Sequence, residues 1–369
     1  MTRKRFLGTS RLLAALALQR AKGQGQSSGR EWQMPDESSP HKRTWMAFGA
    51  QEKIWGKRLL PRVQSDLALI ARSIVKYEPV YMLVRRADMA TARRLLGNAA
   101  VLVEADLDDL WVRDSGPSFV LGPAGKLGAI DLNFNGWGHK QAHENDAEVA
   151  EFIAGQAMAE HIQTDLVGEG GGIEVDGRGT AILSESCFLN ANRNPGLGKR
   201  DLEEVLKESF GIRKVVWLPG LRGQDITDGH TDFYARFARQ GVVVAGLEID
   251  AESPDYRVTR ENVRVLRSAT DASGRPFEVI TLEVPAKTRP EFASKDFASG
   301  DINFYVCNGA VIAPEFGDRA ADAQCKSALQ KLFPQRAIVQ INIDGIAAGG
   351  GGIHCATQQE PNPARITRE

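Results

Sequence analysis

Apolar residues recur at three- and four-residue spacing in five separate stretches, and each predicts a helix with one buried face. The first covers about residues 61–76, where Val63, Leu67, Ile70 and Ile74 form the stripe; the others cover 145–160, 199–210, 258–268 and 320–332. Short β-type runs follow most of them, at Val80–Val84, Val215–Leu218, Phe277–Val284 and Ile338–Ile343. Further runs lie at Ala129–Leu132, Thr180–Leu183 and Gly241–Leu247. This alternation excludes an all-α or all-β chain. The helices start about 55 to 85 residues apart, which suits five diverged copies of a mixed α/β unit, although no literal repeat is present. No Pro- or Ser-rich linker divides residues 31–369, and the helix-poor stretch 269–318 still carries strand patterns, so a single domain is expected there. A radial arrangement of such units would gather residues distant in sequence around one centre.

With 369 residues, 42% hydrophobic and 25% charged, the chain has the make-up of an ordinary globular enzyme. Its net charge of -1 hides an asymmetry. Residues 1–30 carry seven Lys and Arg and no acid, which leaves -8 for the remainder. A mildly acidic body argues against a nucleic-acid partner and suits a small cationic one. The basic start contains a weakly apolar run, Phe6 to Leu18, too short and polar to span a membrane. With Thr2-Arg3-Lys4-Arg5-Phe6-Leu7 it resembles a twin-arginine export signal; a disordered basic tail or an organellar transit peptide are the other readings. The protein is exported on the first reading and otherwise cytoplasmic. Four widely spaced cysteines with no CxxC pair indicate neither a disulfide framework nor a zinc ribbon. Cys187, Cys307 and Cys325 sit in apolar runs and read as small buried residues.

Cys355 differs, because the four glycines Gly349 to Gly352 lead into Ile353-His354-Cys355. Glycine lets another group approach the main chain closely. Four other segments are likewise polar, contain or adjoin glycine and lie beside strand patterns. They are Asp108 to Pro117, with Trp111, Arg113 and Asp114; Glu169-Gly170-Gly171-Gly172; Asp225 to Asp232, with His230; and Asp301-Ile302-Asn303-Phe304. Successive spacings of 55, 61, 73 and 52 from Asp114 through Glu169, His230 and Asn303 to Cys355 amount to about one such segment per unit. Taken singly, Asp114 also suits a turn, Glu169 a solvated loop and His230 a hydrogen-bonding role. Together they supply a thiol, an imidazole and carboxylates, the complement needed for nucleophilic catalysis.

These segments, with Met34-Pro35-Asp36-Glu37, Pro40-His41, Asn133 to Gly138 and Asn192-Arg193-Asn194-Pro195, occur in an order that resembles the agmatine deiminase family and the related bacterial-type peptidylarginine deiminases, over roughly residues 32–362. The resemblance implies a five-bladed, pseudosymmetric α/β propeller, the guanidine-modifying enzyme fold, with no metal and no cofactor. It implies Cys355 as nucleophile, His230 as general acid/base, Glu169 as its partner, Asp114 and Asp232 as the guanidinium clamp, and Trp111 and Asn303 beside the substrate. The implied reaction converts agmatine to N-carbamoylputrescine and ammonia through an amidino-cysteine. Deimination of free or peptidyl arginine is the second reading, and guanidine or polyamine binding without catalysis the third. Three positions depart from the family pattern: His139 stands where Gly is common, Phe233 where Asn is usual and Asp301 where Tyr is common. Oligomeric state is left open.

Overall fold

In the computed structural model, residues 32–366 are described apart from 293 and 295, and they fall within the compact unit Trp32–Glu369. The export-signal reading concerns residues outside this set. Five small sheets repeat one pattern: a first strand runs antiparallel to a second, which leads through a helix into a third strand parallel to the second. Blade 2 contains β4 (Ser118–Leu121), β5 (Leu127–Asp131), α2 (Val149–Ala157) and β6 (Glu160–Gln163), and blade 3 contains β7 (Ile173–Val175), β8 (Thr180–Ser184), α3 (Lys199–Phe210) and β9 (Lys214–Leu218). Blade 4 is β10 (Ala235–Arg239), β11 (Val242–Leu247), α4 (Asp255–Ser268) and β12 (Glu278–Glu283); blade 5 is β13 (Tyr305–Cys307), β14 (Ala310–Pro314), α5 (Arg319–Leu332) and β15 (Ala337–Ile341). Blade 1 is built from both ends of the described chain. Its first strand is β16 (Gln358–Pro361), paired antiparallel to β1 (His41–Phe48), which continues through α1 (Glu52–Ile74) into β2 (Val80–Val84) and on to β3 (Val101–Glu104). The fold is the five-bladed pseudosymmetric α/β propeller.

Each helix stripe has a defined partner, because the apolar clusters lie between blades. Val149, Ile153 and Ala157 of α2 meet Trp45 and Leu83 of blade 1, and Leu202, Leu206 and Phe210 of α3 meet Val120 and Ile130 of blade 2. Val258, Val263 and Leu266 of α4 meet Ile182 and Val216 of blade 3, and Leu329 and Leu332 of α5 meet Val242 and Val244 of blade 4. Val63, Leu67, Ile70 and Ile74 of α1 close the ring against Tyr305 and Ile312 of blade 5. A helix wedged between two sheets needs only one apolar side, hence the clear periodicity.

All five predicted helices are present. α1 begins earlier than expected because the chain already coils from Glu52, across Gly56 (φ 66) and Pro61, before the apolar stripe starts. α2 is shorter, since Asp146 at its entry spends both carboxylate oxygens on the amides of Asp108 and Asp109. α3 ends at Phe210 because Gly211 turns left-handed (φ 70), and Asp318 caps the first turn of α5 through the amides of Ala320 and Ala321. Among the described residues no helix is long and apolar enough to cross a membrane.

Candidate active site

The special segments all occupy one structural position, the few residues that enter the first strand of a blade. Asp114 lies on the turn Val112–Ser115 before β4, and Glu169 precedes β7 through three glycines. His230 and Asp232 precede β10, Asn303 precedes β13 and Cys355 precedes β16. Spacing of one segment per unit is thus the spacing of blades, and β7 touches β10 as β16 touches β4.

The Cys355 thiol is buried, 3.4 Å from Asn303 Nδ2 and 3.5 Å from Asp232 Oδ2. Asn303 is fully buried beside Cys355, where its Oδ1 also accepts the amides of His354 (3.0 Å) and Cys355 (3.4 Å). Burial, with Asp232 and then Asp114 as anionic neighbours, pushes the Cys355 thiol well above its usual range. The preceding glycines have a steric reason. A methyl group at Gly351 would stand 2.3 Å from the Trp111 ring, and one at Gly349 would stand 2.2 Å from Trp55, whose ring centroid is 5.8 Å from that of Trp111.

His230 follows two left-handed residues, Asp228 (φ 62) and Gly229 (φ 88), which turn its ring inward. Its Nε2 lies 3.2 Å from Glu169 Oε2 and its Nδ1 3.7 Å from Asp114 Oδ1. Burial disfavours a charged ring, yet Asp114, Cys187 and Glu169 together raise His230 well above the usual imidazole range. Glu169 is buried too, but hydrogen bonding from His230 and the charge of Arg193 hold it below the usual carboxylate range. Arg193 Nε donates to both Glu169 oxygens (2.8 and 3.0 Å) and its Nη1 to Asp228 Oδ2 (2.9 Å), tying the acid to the loop that carries His230.

Asp114 accepts the Trp137 indole N–H at 2.9 Å and the Gly171 amide at 3.1 Å. Trp137 is delivered by four consecutive left-handed residues, Gly136 to His139, two of which are not glycine. His139, one of the departures from the family pattern, therefore occupies a backbone conformation that favours glycine. Burial raises Asp114; His230 opposes this, and the charges of Glu169 and Asp232 add to it. A methyl group built on Gly171 would lie 2.7 Å from His230 Nδ1, 2.9 Å from Asp114 Oδ1 and 3.2 Å from Asp232 Oδ2, so three titratable groups converge on this bare backbone.

Asp232 Oδ2 lies 2.8 Å from His354 Nδ1, while its Oδ1 is buried and accepts no hydrogen bond among the described residues. Burial notwithstanding, His354 holds Asp232 below the usual carboxylate range. On its other side His354 Nε2 is 2.8 Å from Glu37 Oε2. Glu37 also accepts from Arg236 Nη2 (2.8 Å), Arg113 Nη2 (3.2 Å) and the Val306 amide (2.8 Å), and Arg236 continues to Glu174 Oε2 (2.9 Å) and the Phe304 carbonyl (2.7 Å). This buried ionic hub takes a residue from each of the five blades.

A cavity of about 710 Å³ opens onto Cys355, His230, Asp114 and Trp111. Eight carboxylate residues line it: Asp109, Asp114, Asp225, Glu248, Asp255, Glu283, Asp296 and Asp301. Among the described residues lining it there is no Lys or Arg. Phe233 shares the wall and packs on Gly300, where a methyl group would stand 2.7 Å from its ring. Glu169, Cys187 and His230 offer three donor atoms within 4.8 Å of one another, a metal-like grouping, but Glu169 already has the Arg193 guanidinium as its cation.

The model of the Porphyromonas-type peptidyl-arginine deiminase family matches residues 33–361. The chain belongs to this family. A Streptomyces coelicolor relative, provisionally named an agmatine deiminase, is 41% identical over 338 residues, covering 89% of this chain and 99% of its own. The agmatine deiminase of Ectopseudomonas mendocina is 36% identical over 353 residues, covering 89% and 95%. Among solved structures, the agmatine deiminase of Enterococcus faecalis superposes with a TM-score of 0.84 at 32% identity, over 90% of this chain and 96% of the other. In this deiminase-family chain the expected site residues come together, with Glu169, Asp232 and Asn303 outside the cavity lining, in a layer behind His230 and Cys355. Sequence reasoning did not assign Trp137, Arg193, Glu37 or His354 to the site. Each lies in a string quoted above, but nothing local assigns its role: Glu37 meets Arg236, 199 residues away, and His354 meets Asp232, 122 residues away.

Proposed function

We propose that this deiminase-family protein hydrolyses the guanidinium group of agmatine, giving N-carbamoylputrescine and ammonia. The acid-lined cavity carries this reading. Agmatine is a cation at both ends, and a wall of carboxylates ending at a thiol and an imidazole suits a dication better than arginine, whose carboxylate would meet like charge.

A guanidinium carbon is a poor electrophile because three nitrogens donate into it, so the cation must be held in register. Asp114 and Asp232 are the proposed clamp, each accepting N–H bonds from the planar cation. The two carboxylates that keep Cys355 protonated in the free protein are thus neutralised by the substrate itself, and the thiol becomes easier to ionise once the cation is bound. Cys355 Sγ, its proton released to solvent, adds to the guanidinium carbon, and the resulting tetrahedral adduct loses ammonia as charged His230 protonates the leaving nitrogen. A covalent amidino-cysteine remains. His230, now neutral, deprotonates a water that attacks the same carbon; the C–S bond breaks, releasing the ureido product and the thiol. Glu169 stabilises the imidazolium that precedes ammonia loss and re-forms on water attack, with Arg193 fixing its geometry.

Ammonia release from agmatine, free arginine and a peptide ending in arginine tests the reading in one panel. Agmatine is expected to be turned over most efficiently, and a preference for either arginine substrate transfers the assignment to the second reading. Cys355→Ala is expected to abolish turnover of agmatine while leaving the circular dichroism spectrum and melting temperature intact; surviving turnover excludes Cys355 as nucleophile, and binding with no turnover in the unmodified protein favours a non-catalytic role.

A further inference from the structure

The proposed mechanism uses Asp232 and Cys355 but not the histidine that pairs with Asp232 and stands next to Cys355 in sequence. His354 is 2% exposed, and each of its ring nitrogens has a carboxylate oxygen at 2.8 Å: Asp232 Oδ2 on Nδ1 and Glu37 Oε2 on Nε2. An imidazole flanked by two ionised carboxylates donates from both nitrogens, whereas a neutral ring could serve only one. Both carboxylates have reason to be ionised, since Glu37 is paired with Arg236 and Arg113 and is held well below the usual range despite its burial. Charge therefore alternates inward from the hub: Arg236 and Arg113, Glu37, His354, Asp232. The next position in that alternation calls for a cation, and Asp232 Oδ1 is the buried oxygen that accepts nothing.

We propose that His354 is a positioning residue for the deimination, which, anchored by Glu37, captures Oδ2 of Asp232 and thereby reserves Oδ1 for an N–H of the guanidinium. This rests on the reading of Asp232 as half of the substrate clamp. The role matters because Asp232 Oδ2 is also 3.5 Å from Cys355 Sγ. A free Asp232 carboxylate could rotate and accept the thiol proton with either oxygen; with His354 on Oδ2 the carboxylate keeps one orientation and stays anionic. The groups facing Asp232 are His354, Cys355, His230, Asp114 and, more distantly, Arg236; those facing His354 are Asp232, Glu37, Arg113 and Glu174.

Steady-state ammonia release from agmatine across pH 5–9 tests this in full-length protein carrying His354→Asn, His354→Leu, Glu37→Gln or Asp232→Asn. Asn keeps a donor near the Nδ1 position, and Leu removes it. The expected result is a KM roughly 10- to 100-fold higher in His354→Leu, the worth of one charge-assisted hydrogen bond, largely rescued in His354→Asn. The acid limb of kcat/KM should also move to higher pH in His354→Leu, because Asp232 loses the donor that favours its anion. Glu37→Gln should move that limb the same way with a smaller change in KM, since it removes one of the two carboxylates that hold the His354 ring. A loss confined to kcat, with KM and the acid limb unchanged in both His354 variants, overturns the proposal. If His354→Leu does not fold, Glu37→Gln and His354→Asn decide it: an unmoved acid limb in the former, or an unrescued KM in the latter, overturns it. Asp232→Asn separates the underlying reading, because an unchanged KM in that variant removes Asp232 from the clamp, whatever the His354 variants do.

Discussion

At the scale of single residues, burial without partners is the recurrent theme, and Asp301 shows its thermodynamic side. Its carboxyl is 3% exposed, its Oδ1 accepts nothing among the described residues, and burial, reinforced by Asp322 and Asp318, raises it to about 7. The unfolded chain holds Asp near its ordinary value of about 3.9. Between these values the folded state keeps a proton that the unfolded state has released, so the contribution of Asp301 to stability falls as pH rises through that window and is level above it. Asp301→Asn cannot titrate. Urea unfolding at pH 5 and pH 8 is expected to show the unmodified protein losing up to about 3 kcal/mol more than the variant between the two; equal losses exclude the shift. The sequence marked Asp301 as a departure from the family pattern, and marked Cys355, His230, Glu169, Asp114 and Asp232 through glycine and acid strings that are local. Trp137, Arg193, Glu37 and His354 were not legible as site residues because what they do depends on partners that only the fold brings to them: Arg193 reads as a surface cation until its Nε is found on the carboxylate of Glu169, 24 positions away.

The glycine run before Cys355 belongs to the scale of elements. It is the passage from the turn Asp344–Ala347 into β16, and it threads between Trp55, Trp111 and Asn303. Gly350 is left-handed (φ 89) and so suits glycine on conformation alone; Gly351 is not left-handed but touches the Trp111 ring. Gly351→Ala is therefore expected to push Trp111 into the cavity and to lower kcat/KM for agmatine by on the order of 10-fold or more, comparable to overpacking costs of about 1–3 kcal/mol. Tryptophan fluorescence reports the movement, and an unchanged spectrum with unchanged kinetics contradicts it. The helices were legible because each turns one apolar side to a gap between sheets. First strands were not. β7 and β13 have three residues each, fully buried, too short to show alternation, and β10 carries Arg236 as its second residue, a charge that reads as surface until Glu37 and Glu174 are seen around it. β14, which ends in Pro314, is not among the strand runs predicted from the sequence.

On the scale of the molecule, stability is spread around a ring of inter-blade clusters and gathered at the hub through Glu37. The ring closes only through β16, whose partner strand lies far away: His41 faces Pro361 and Trp45 faces Gln358, with the Trp45 indole donating to Glu360 at 2.9 Å. A chain truncated after Thr357 retains Cys355 but leaves the edge of β1 and the fully buried Trp45 uncovered. It is expected to lose all turnover and several kcal/mol of stability, the order of a lost large core side chain, read as a lowered melting temperature and a larger hydrodynamic radius. A truncated chain that is active and compact contradicts the closure role. Such closure also imposes an order in time. During synthesis β1 emerges early and must wait for more than 300 further residues before its partner exists, roughly 15 to 60 seconds at common rates of about 5–20 residues per second. Because His354 and Cys355 arrive on the same late segment, a ribosome-bound chain holds nearly all of the cavity wall yet lacks the proposed nucleophile, and on that reading reactivity appears only as the circle is sealed.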